Sequence, residues 1–260
     1  MLTVILAGIR KDGWLPLWES VDKAYSGEWE LILIGPYKPE GEFAKKENVS
    51  YIEDWGTPTR CMQRGLIAAK GEWVTYLWDD GVVRRGAFDR AFEQLEQHGM
   101  DWKVAISGKY IEGDTTTENI KLMSGSEYYR INHHHSAYSP YISSEFLLFN
   151  TGVVSARLLK EIGGLDCRFE AIAMAFVDLA VRMQFYGAKI VLSDDVMVKC
   201  GWMKGESGDH APMHKAMFEN DMSLYEMKYA SARCISQCIL DVDNWKYKPD
   251  RWERRFGPCD

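Results

Sequence analysis

Short apolar runs and helical stripes alternate along the first two hundred residues of the chain. Thr3 to Ile9 is an apolar run, Leu15, Trp18, Val21 and Tyr25 recur at helical spacing, and Glu30 to Ile34 is a second run closed by Gly35-Pro36. Strand, helix and strand in that order make a βαβ unit, hence a parallel sheet covered by helices. Val49 to Ile52 predicts a third strand ending in Glu53-Asp54. Thr57-Pro58 then has the form of a helix start, and Cys61, Gly65, Ile67 and Ala68 carry the helix to Lys70-Gly71. The aromatic and β-branched run Trp73 to Trp78 predicts a buried strand that stops at two adjacent carboxylates, Asp79 and Asp80.

The pattern continues with an amphipathic helix over Gly86 to His98 and a strand over Trp102 to Ser107. An irregular stretch rich in Tyr, Ser and His follows, to about Phe146. Order returns with Phe146 to Ser155, a helix over Arg157 to Ile162, the turn Gly163-Gly164-Leu165-Asp166, a helix over Ala173 to Tyr186, and a strand over Lys189 to Leu192. One continuous α/β domain with a C-terminal extension accounts for these elements.

Composition narrows the function. At 260 residues and 46% hydrophobic, the chain can bury a large core, and a net charge of −7 argues against a surface that coats nucleic acid or an acidic membrane. The six cysteines, Cys61, Cys167, Cys200, Cys234, Cys238 and Cys259, show neither a CxxC pair nor zinc-ligand spacing, which points to reduced thiols. The chain opens directly on a strand, and no apolar run reaches membrane-spanning length, so a cytoplasmic location is expected.

Ligands of open α/β sheets bind outside the carboxyl ends of the strands. Asp79 and Asp80 at such an end could hold a magnesium or manganese ion, and through it the phosphates of a nucleotide. Asp-Asp-Gly is also an ordinary turn. Glu53 or Asp54 could accept from a base or ribose, unless both are solvated loop acids, and Arg60 and Arg64 could reach phosphate oxygens, guanidinium being suited to bidentate phosphate binding.

Together, TVILAGI at the opening, RCMQRGLIAAKGEW, LWDDG, FNTGVVSARLLKEIGGLDCRFE and AFVDLAVRMQFYGAKI resemble, in order and interval, the family-two glycosyltransferases, nucleotide-sugar-dependent enzymes of GT-A fold. The resemblance covers roughly residues 3 to 200. It implies one GT-A-like, Rossmann-type domain over residues 1–222, with a mostly parallel sheet flanked by helices. Its nucleotide-sugar half would be about 1–108, its acceptor half about 109–222, and 223–260 a C-terminal extension. The implied activity is metal-dependent, inverting transfer of a sugar from a nucleotide-sugar donor to an acceptor hydroxyl. A glycan or lipid-linked saccharide is the default acceptor, with a hydroxylated DNA base as another. A nucleotidyltransferase and a non-catalytic glycan- or nucleotide-binding module are the alternatives.

The resemblance also assigns residues. Asp80 falls at the metal-binding acid of the family's Asp-x-Asp motif, with Trp78 where the first acid stands and Asp79 as support. Ala7, Gly8 and Arg10, at the end of the opening run, would contact the nucleotide. Gln63 falls where an asparagine is common, and His210, with His214 as the alternative, where relatives supply a histidine to the metal or diphosphate. Asp178 matches the catalytic base and Glu170 is the reserve, the alternative for Asp178 being an i,i+4 ion pair with Arg182 on a solvated helix face. Gly35-Pro36-Tyr37 replaces an aspartate that often contacts base or ribose. His133, His134 and His135, with Tyr128, Tyr129, Tyr138 and Tyr141, could frame a sugar or base. The strip Trp245 to Phe256 interleaves aromatic and basic residues, and either packs on the domain or grips a polyanion.

Overall fold

In the computed structural model the described residues are 1–112, 146–201, 208–229 and 250–258. The histidine and tyrosine cluster within 128–141 and the start of the basic strip at Trp245 lie outside them. The strands of the described residues form one mixed sheet in the order β3-β2-β1-β4-β7-β6-β8-β5. β1 (Leu2–Ala7), β2 (Trp29–Gly35), β3 (Val49–Glu53) and β4 (Trp73–Trp78) are mutually parallel, with Ile5 opposite Ile32 on one side and Tyr76 on the other. β7 (Gly152–Ser155) runs antiparallel to β4 and to β6 (Val104–Glu112), and β8 (Lys189–Cys200) is parallel to β6 and antiparallel to β5 (Val82–Val83). The α/β fold with helices on both faces read from the hydrophobic pattern is therefore present.

Strand side chains alternate between two cores, as they must in a sheet covered on both faces. Leu2, Val4 and Leu6 of β1 pack toward α1 (Lys11–Ala24) and α3 (Ala87–Gln97). Ile5 packs toward α2 (Pro58–Ala68), α4 (Ala156–Glu161) and α5 (Ile172–Phe185). Helix α1 buries Trp14, Leu17, Val21 and Ala24, so its core stripe lies one position N-terminal to much of the expected one, and Leu15, Trp18 and Tyr25 form its half-buried flank. Helix α2 starts as read: the Thr57 hydroxyl accepts the Arg60 N–H at 3.1 Å, and Pro58 occupies the first turn.

Two strands differ from the pattern. β8 runs on to Cys200 because Ser193 bridges an irregularity in the ladder, donating to the Asp195 carbonyl at 2.7 Å and accepting the Lys109 N–H at 2.9 Å. The polar Ser-Asp-Asp interruption thus hides a continuous strand. β5 is only two residues long and pairs with β8 at Val198 and Lys199, too short to show a period.

Helix α5 is buried from Met174 to Met183, with Asp178 and Arg182 inside that run. Beyond β8 come a 3₁₀ turn (Gly208–His210), α6 (Ala211–Ala216), a π turn (Met217–Asp221) and α7 (Met222–Tyr229), the last against α5. A short helix, α8 (Glu253–Phe256), lies in the C-terminal segment, whose Trp252 is 1% exposed. The described part of the basic strip packs its tryptophan into the domain.

Candidate functional site

The main cleft opens at the carboxyl ends of β1, β2 and β4. Its floor is Ala7, Gly8, Gly35 and the turn Trp78-Asp79-Asp80, and its far wall comes from α5, α6 and the C-terminal segment.

The acidic turn is built from its backbone outward. The Gly81 N–H closes it on the Trp78 carbonyl at 2.9 Å. Asp79 is 4% exposed, and its Oδ2 accepts the N–H groups of Ile9 and Arg10, each at 2.7 Å, while Oδ1 pairs with the Arg10 guanidinium. A single carboxylate therefore fixes the loop after β1 against the end of β4. That approach needs glycine in the first turn of α1: a Cβ on Gly13 would sit 1.9 Å from the Asp79 carbonyl oxygen.

Asp80 has a different setting. Its side chain is 21% exposed, and Arg10 Nη1 stands 4.0 Å away. Burial pushes its carboxyl above the ordinary range, with Arg10 pulling it down, Asp79 pushing it up and His210 pulling it down more weakly. His210 enters from the 3₁₀ turn, with Nε2 3.3 Å from Arg10 Nη2 and Nδ1 3.2 Å from Asp209 Oδ1. Burial lowers its pKa, which favours the neutral ring that can ligate a cation. Arg10 completes the cluster by donating from Nε to Asp209 at 2.6 Å. His214 lines the same cleft one helical turn on.

Asp54 forms one edge of the cleft. It accepts from Arg60 Nε at 3.0 Å, Arg64 Nη1 at 2.7 Å and the Gly56 N–H at 2.7 Å. Arg60 and Arg64 are absent from the cleft lining, their guanidinium groups turned toward this carboxylate. Gln63 is buried on another face of α2, donating to the Gly163 carbonyl at 2.9 Å and accepting the Leu165 N–H at 2.8 Å. It clamps the Gly163-Gly164 turn, where Gly164 has φ +64° and a Cβ would lie 2.4 Å from Gln63 Oε1.

Asp178 and Glu170 are likewise absent from the lining. Asp178 is fully buried among Arg182 Nε at 2.8 Å, Lys228 Nζ at 2.6 Å and the Tyr229 hydroxyl at 2.6 Å. Burial raises its carboxyl pKa, but Arg182 and Lys228 outweigh that and hold it below the ordinary value. The i,i+4 pair with Arg182 exists, in the core rather than on a solvated face. Glu170 accepts from the Trp252 indole at 3.2 Å and pairs with Arg254. Neighbouring backbone N–H groups of Glu170 and Ala171 bond to Asp221, whose carboxyl burial pushes up to about 6.

Two cleft residues come from a place sequence reasoning gave to surface packing or polyanions. Arg255 and Phe256 line the cleft, and Phe256 meets Trp55 edge-on with ring centroids 5.2 Å apart. The aromatic and basic alternation of the strip was their only signal.

A divalent cation suits this chemistry. Among the described residues no three His, Cys, Asp or Glu side chains converge on a point, but a cation carried in with a diphosphate takes only one or two protein ligands and keeps phosphate oxygens for the rest. Of the acids and histidines that line the cleft, Asp80 is the acid not bound up in several hydrogen bonds, and His210 and His214 are the nitrogen donors.

Sheet order, flanking helices and the acidic turn at the strand ends define an α/β protein of GT-A-like fold. No protein-family model and no curated protein matches the chain. Among solved structures it is similar to S. aureus TarS, a family-two GT-A glycosyltransferase, at 14% identity over 91% of this chain and 44% of that one, with a TM-score of 0.54. The same likeness holds for TarS 1-349 in complex with UDP, at 14% identity, TM-score 0.53, 90% of this chain and 70% of that one. It holds also for TarS 1-349 in complex with UDP-GlcNAc, at 15% identity, TM-score 0.50, 90% of this chain and 71% of that one. The chain spans less than half of the longer TarS chain.

Proposed function

We propose that the protein is a glycosyltransferase that takes a nucleotide-sugar donor and passes its sugar to an acceptor hydroxyl, with a saccharide as the acceptor class. The carrying observation is Asp80: a partly exposed carboxylate at the carboxyl end of a central strand, beside His210, in a cleft of a fold shared with structures that hold UDP and UDP-GlcNAc.

In this reading Asp80 and His210 hold a magnesium or manganese ion, which supplies Lewis-acid stabilisation of the charge on the departing diphosphate. The chain's own residues do the rest. Asp79 holds the β1 loop so that Gly8 and Ile9 form the floor and Arg10 faces the phosphates. Asp54, set by Arg60, Arg64 and Gly56, presents a fixed acceptor at the nucleoside edge. In transfer with inversion, the bond from the acceptor oxygen to the anomeric carbon forms as the bond from that carbon to the diphosphate oxygen breaks. The acceptor proton leaves to a base at the cleft, and the enclosure of Asp178 favours a group other than that residue.

A donor screen tests this. The protein is incubated with manganese or magnesium and a panel of nucleotide sugars, and nucleoside diphosphate release is followed for wild type and Asp80→Ala. Release from one donor, reduced about 10²-fold or more in the variant, is expected. Comparing the melting of Asp80→Ala with that of wild type separates lost chemistry from lost fold. No release from any donor, with no donor binding by calorimetry, would overturn the reading.

A further inference from the structure

The C-terminal strip carries three arginines within five residues, and the fold treats them differently. Arg251 lies over the Trp55 ring, 4.3 Å from its centroid. Arg254 is taken up by Glu170 and by Glu219 at 3.3 Å. Arg255 turns inward to the cleft, and its Nη2 donates to the backbone carbonyl of Asp209. That carbonyl is neutral, so the contact itself orients the guanidinium, while the nearby Asp209 and Asp79 carboxylates partly balance its charge. The adjacent Asp209 carboxylate is engaged by Arg10 and His210.

The segment is anchored well enough to hold such a group in place. The Trp252 N–H donates to the Trp55 carbonyl at 2.9 Å, its indole to Glu170 at 3.2 Å, and Phe256 packs on the Trp55 ring. Positions almost two hundred and fifty residues apart thus bring two arginines to one cleft, Arg10 from the β1 loop and Arg255 from the C-terminal segment, with Asp209 contacting both through its carboxylate and its carbonyl.

We propose that Arg255 and Arg10 form a two-armed clamp for the diphosphate of a nucleotide ligand, the second arm delivered by the C-terminal segment. The proposal rests on the nucleotide-sugar reading and deepens it. A diphosphate offers two adjacent tetrahedral anions, and each suits a planar guanidinium fork. A monophosphate offers one and a nucleoside none. The clamp therefore discriminates by the number of phosphates, and the basic strip serves a small anion inside the cleft instead of a polyanion outside it.

Calorimetric binding in the presence of magnesium separates the cases. The ligands are the nucleoside diphosphate that wild type binds most tightly among the uracil, thymine, guanine, adenine and cytosine forms, its monophosphate, its nucleoside, and inorganic pyrophosphate. Arg255→Gln should weaken the diphosphate and pyrophosphate about tenfold, the monophosphate less, and the nucleoside not at all. Arg255→Lys should recover part of the loss, and the exposed Arg157→Gln should change nothing. Should Arg255→Gln fail to fold, Arg255→Lys and Arg255→Met carry the same comparison. Unchanged diphosphate binding in a folded Arg255 variant overturns the clamp and leaves the nucleotide site standing. Equal weakening of diphosphate and nucleoside shows a purely structural role and overturns it too. A wild type that binds no diphosphate removes both the clamp and the reading beneath it.

Discussion

Two groups of acids lie on either side of this domain's working surface, and the same side-chain chemistry has opposite uses in them. In the cleft, Asp79, Asp80 and Asp209 gather around Arg10, and Asp80 keeps a face toward solvent. Beneath it, Asp166 and Asp178 are sealed at 0% exposure around Lys228, with Arg182 and Arg168 closing the network. The first group is held so that one carboxylate stays available. The second is held so that none does, and it ties the Gly163–Asp166 turn, α5 and α7 together. An acid's place in a motif gives its position along the chain, while its availability depends on which cations other elements bring to it.

The largest effect expected from this contrast is on stability. Asp178→Ala leaves Lys228 and Arg182 buried without their shared partner, and loss of one member of a buried pair costs ~3–5 kcal/mol. Thermal and urea unfolding should show a drop of that order. A catalytic base, by comparison, would lose rate with little change in melting. Acid gives a second view of the same network. For Asp166, burial raises the carboxyl pKa, but Arg168 and Lys228 outweigh it, as Arg182 and Lys228 do for Asp178. Folded values below the unfolded carboxyl value of about 3.9 mean that this stabilisation is present above that pH and is lost as pH falls through the folded values. Wild type should therefore lose stability steeply below about pH 4, and Asp178→Ala less steeply. Equal slopes would detach the network from the acid limb.

Asp79→Ala comes next, because Asp79 belongs to the cleft group by place and to the buried group by commitment. It removes the acceptor of the Ile9 and Arg10 N–H groups as well as the Arg10 counter-charge. Hydrogen bonds to a charged group are each worth ~1.5–3 kcal/mol, so the loss should be at least of that size and should appear in unfolding and in donor affinity together. Asp79→Asn keeps one acceptor oxygen and should lose less of both. If either variant lost donor affinity at unchanged stability, Asp79 would join Asp80 as a ligand-facing acid.

The sequence pattern made much of this frame legible. Parallel strands buried on both faces read as apolar runs, the Thr57-Pro58 start of α2 carries its own chemistry, and the strand end at Asp79-Asp80 is marked by the abrupt change from Trp78. These signals are local. The partners of Asp178 are not: Lys228 and Tyr229 arrive from a helix fifty residues further on, and nothing near FVDLAVR announces them. Arg255 is the converse case, since the strip showed its charges but not which one folds inward. The extension of β8 through Ser193-Asp194-Asp195 was hidden because its continuity depends on one hydroxyl bridging an irregular ladder.

Arg64 gives the smallest expected effect and the finest division between the two uses. Its spacing from Arg60 places both on one stretch of α2, and both were candidates for phosphate. The structure turns both toward Asp54, with Arg60 buried and the Arg64 side chain 33% exposed. Arg64 Nη1 also reaches the Glu53 carbonyl at 2.9 Å. Arg64→Ala leaves Asp54 paired with Arg60 and with the Gly56 N–H, so no charge is orphaned and the cost should be that of one part-buried hydrogen bond, ~1 kcal/mol in urea unfolding. Diphosphate affinity should stay at the wild-type value, because the guanidinium lost was not turned to the cleft. A loss matching that of Arg255→Gln would mean that Arg64 leaves Asp54 when ligand arrives, and Asp54 would then be held in reserve like Asp80 instead of being committed like Asp79.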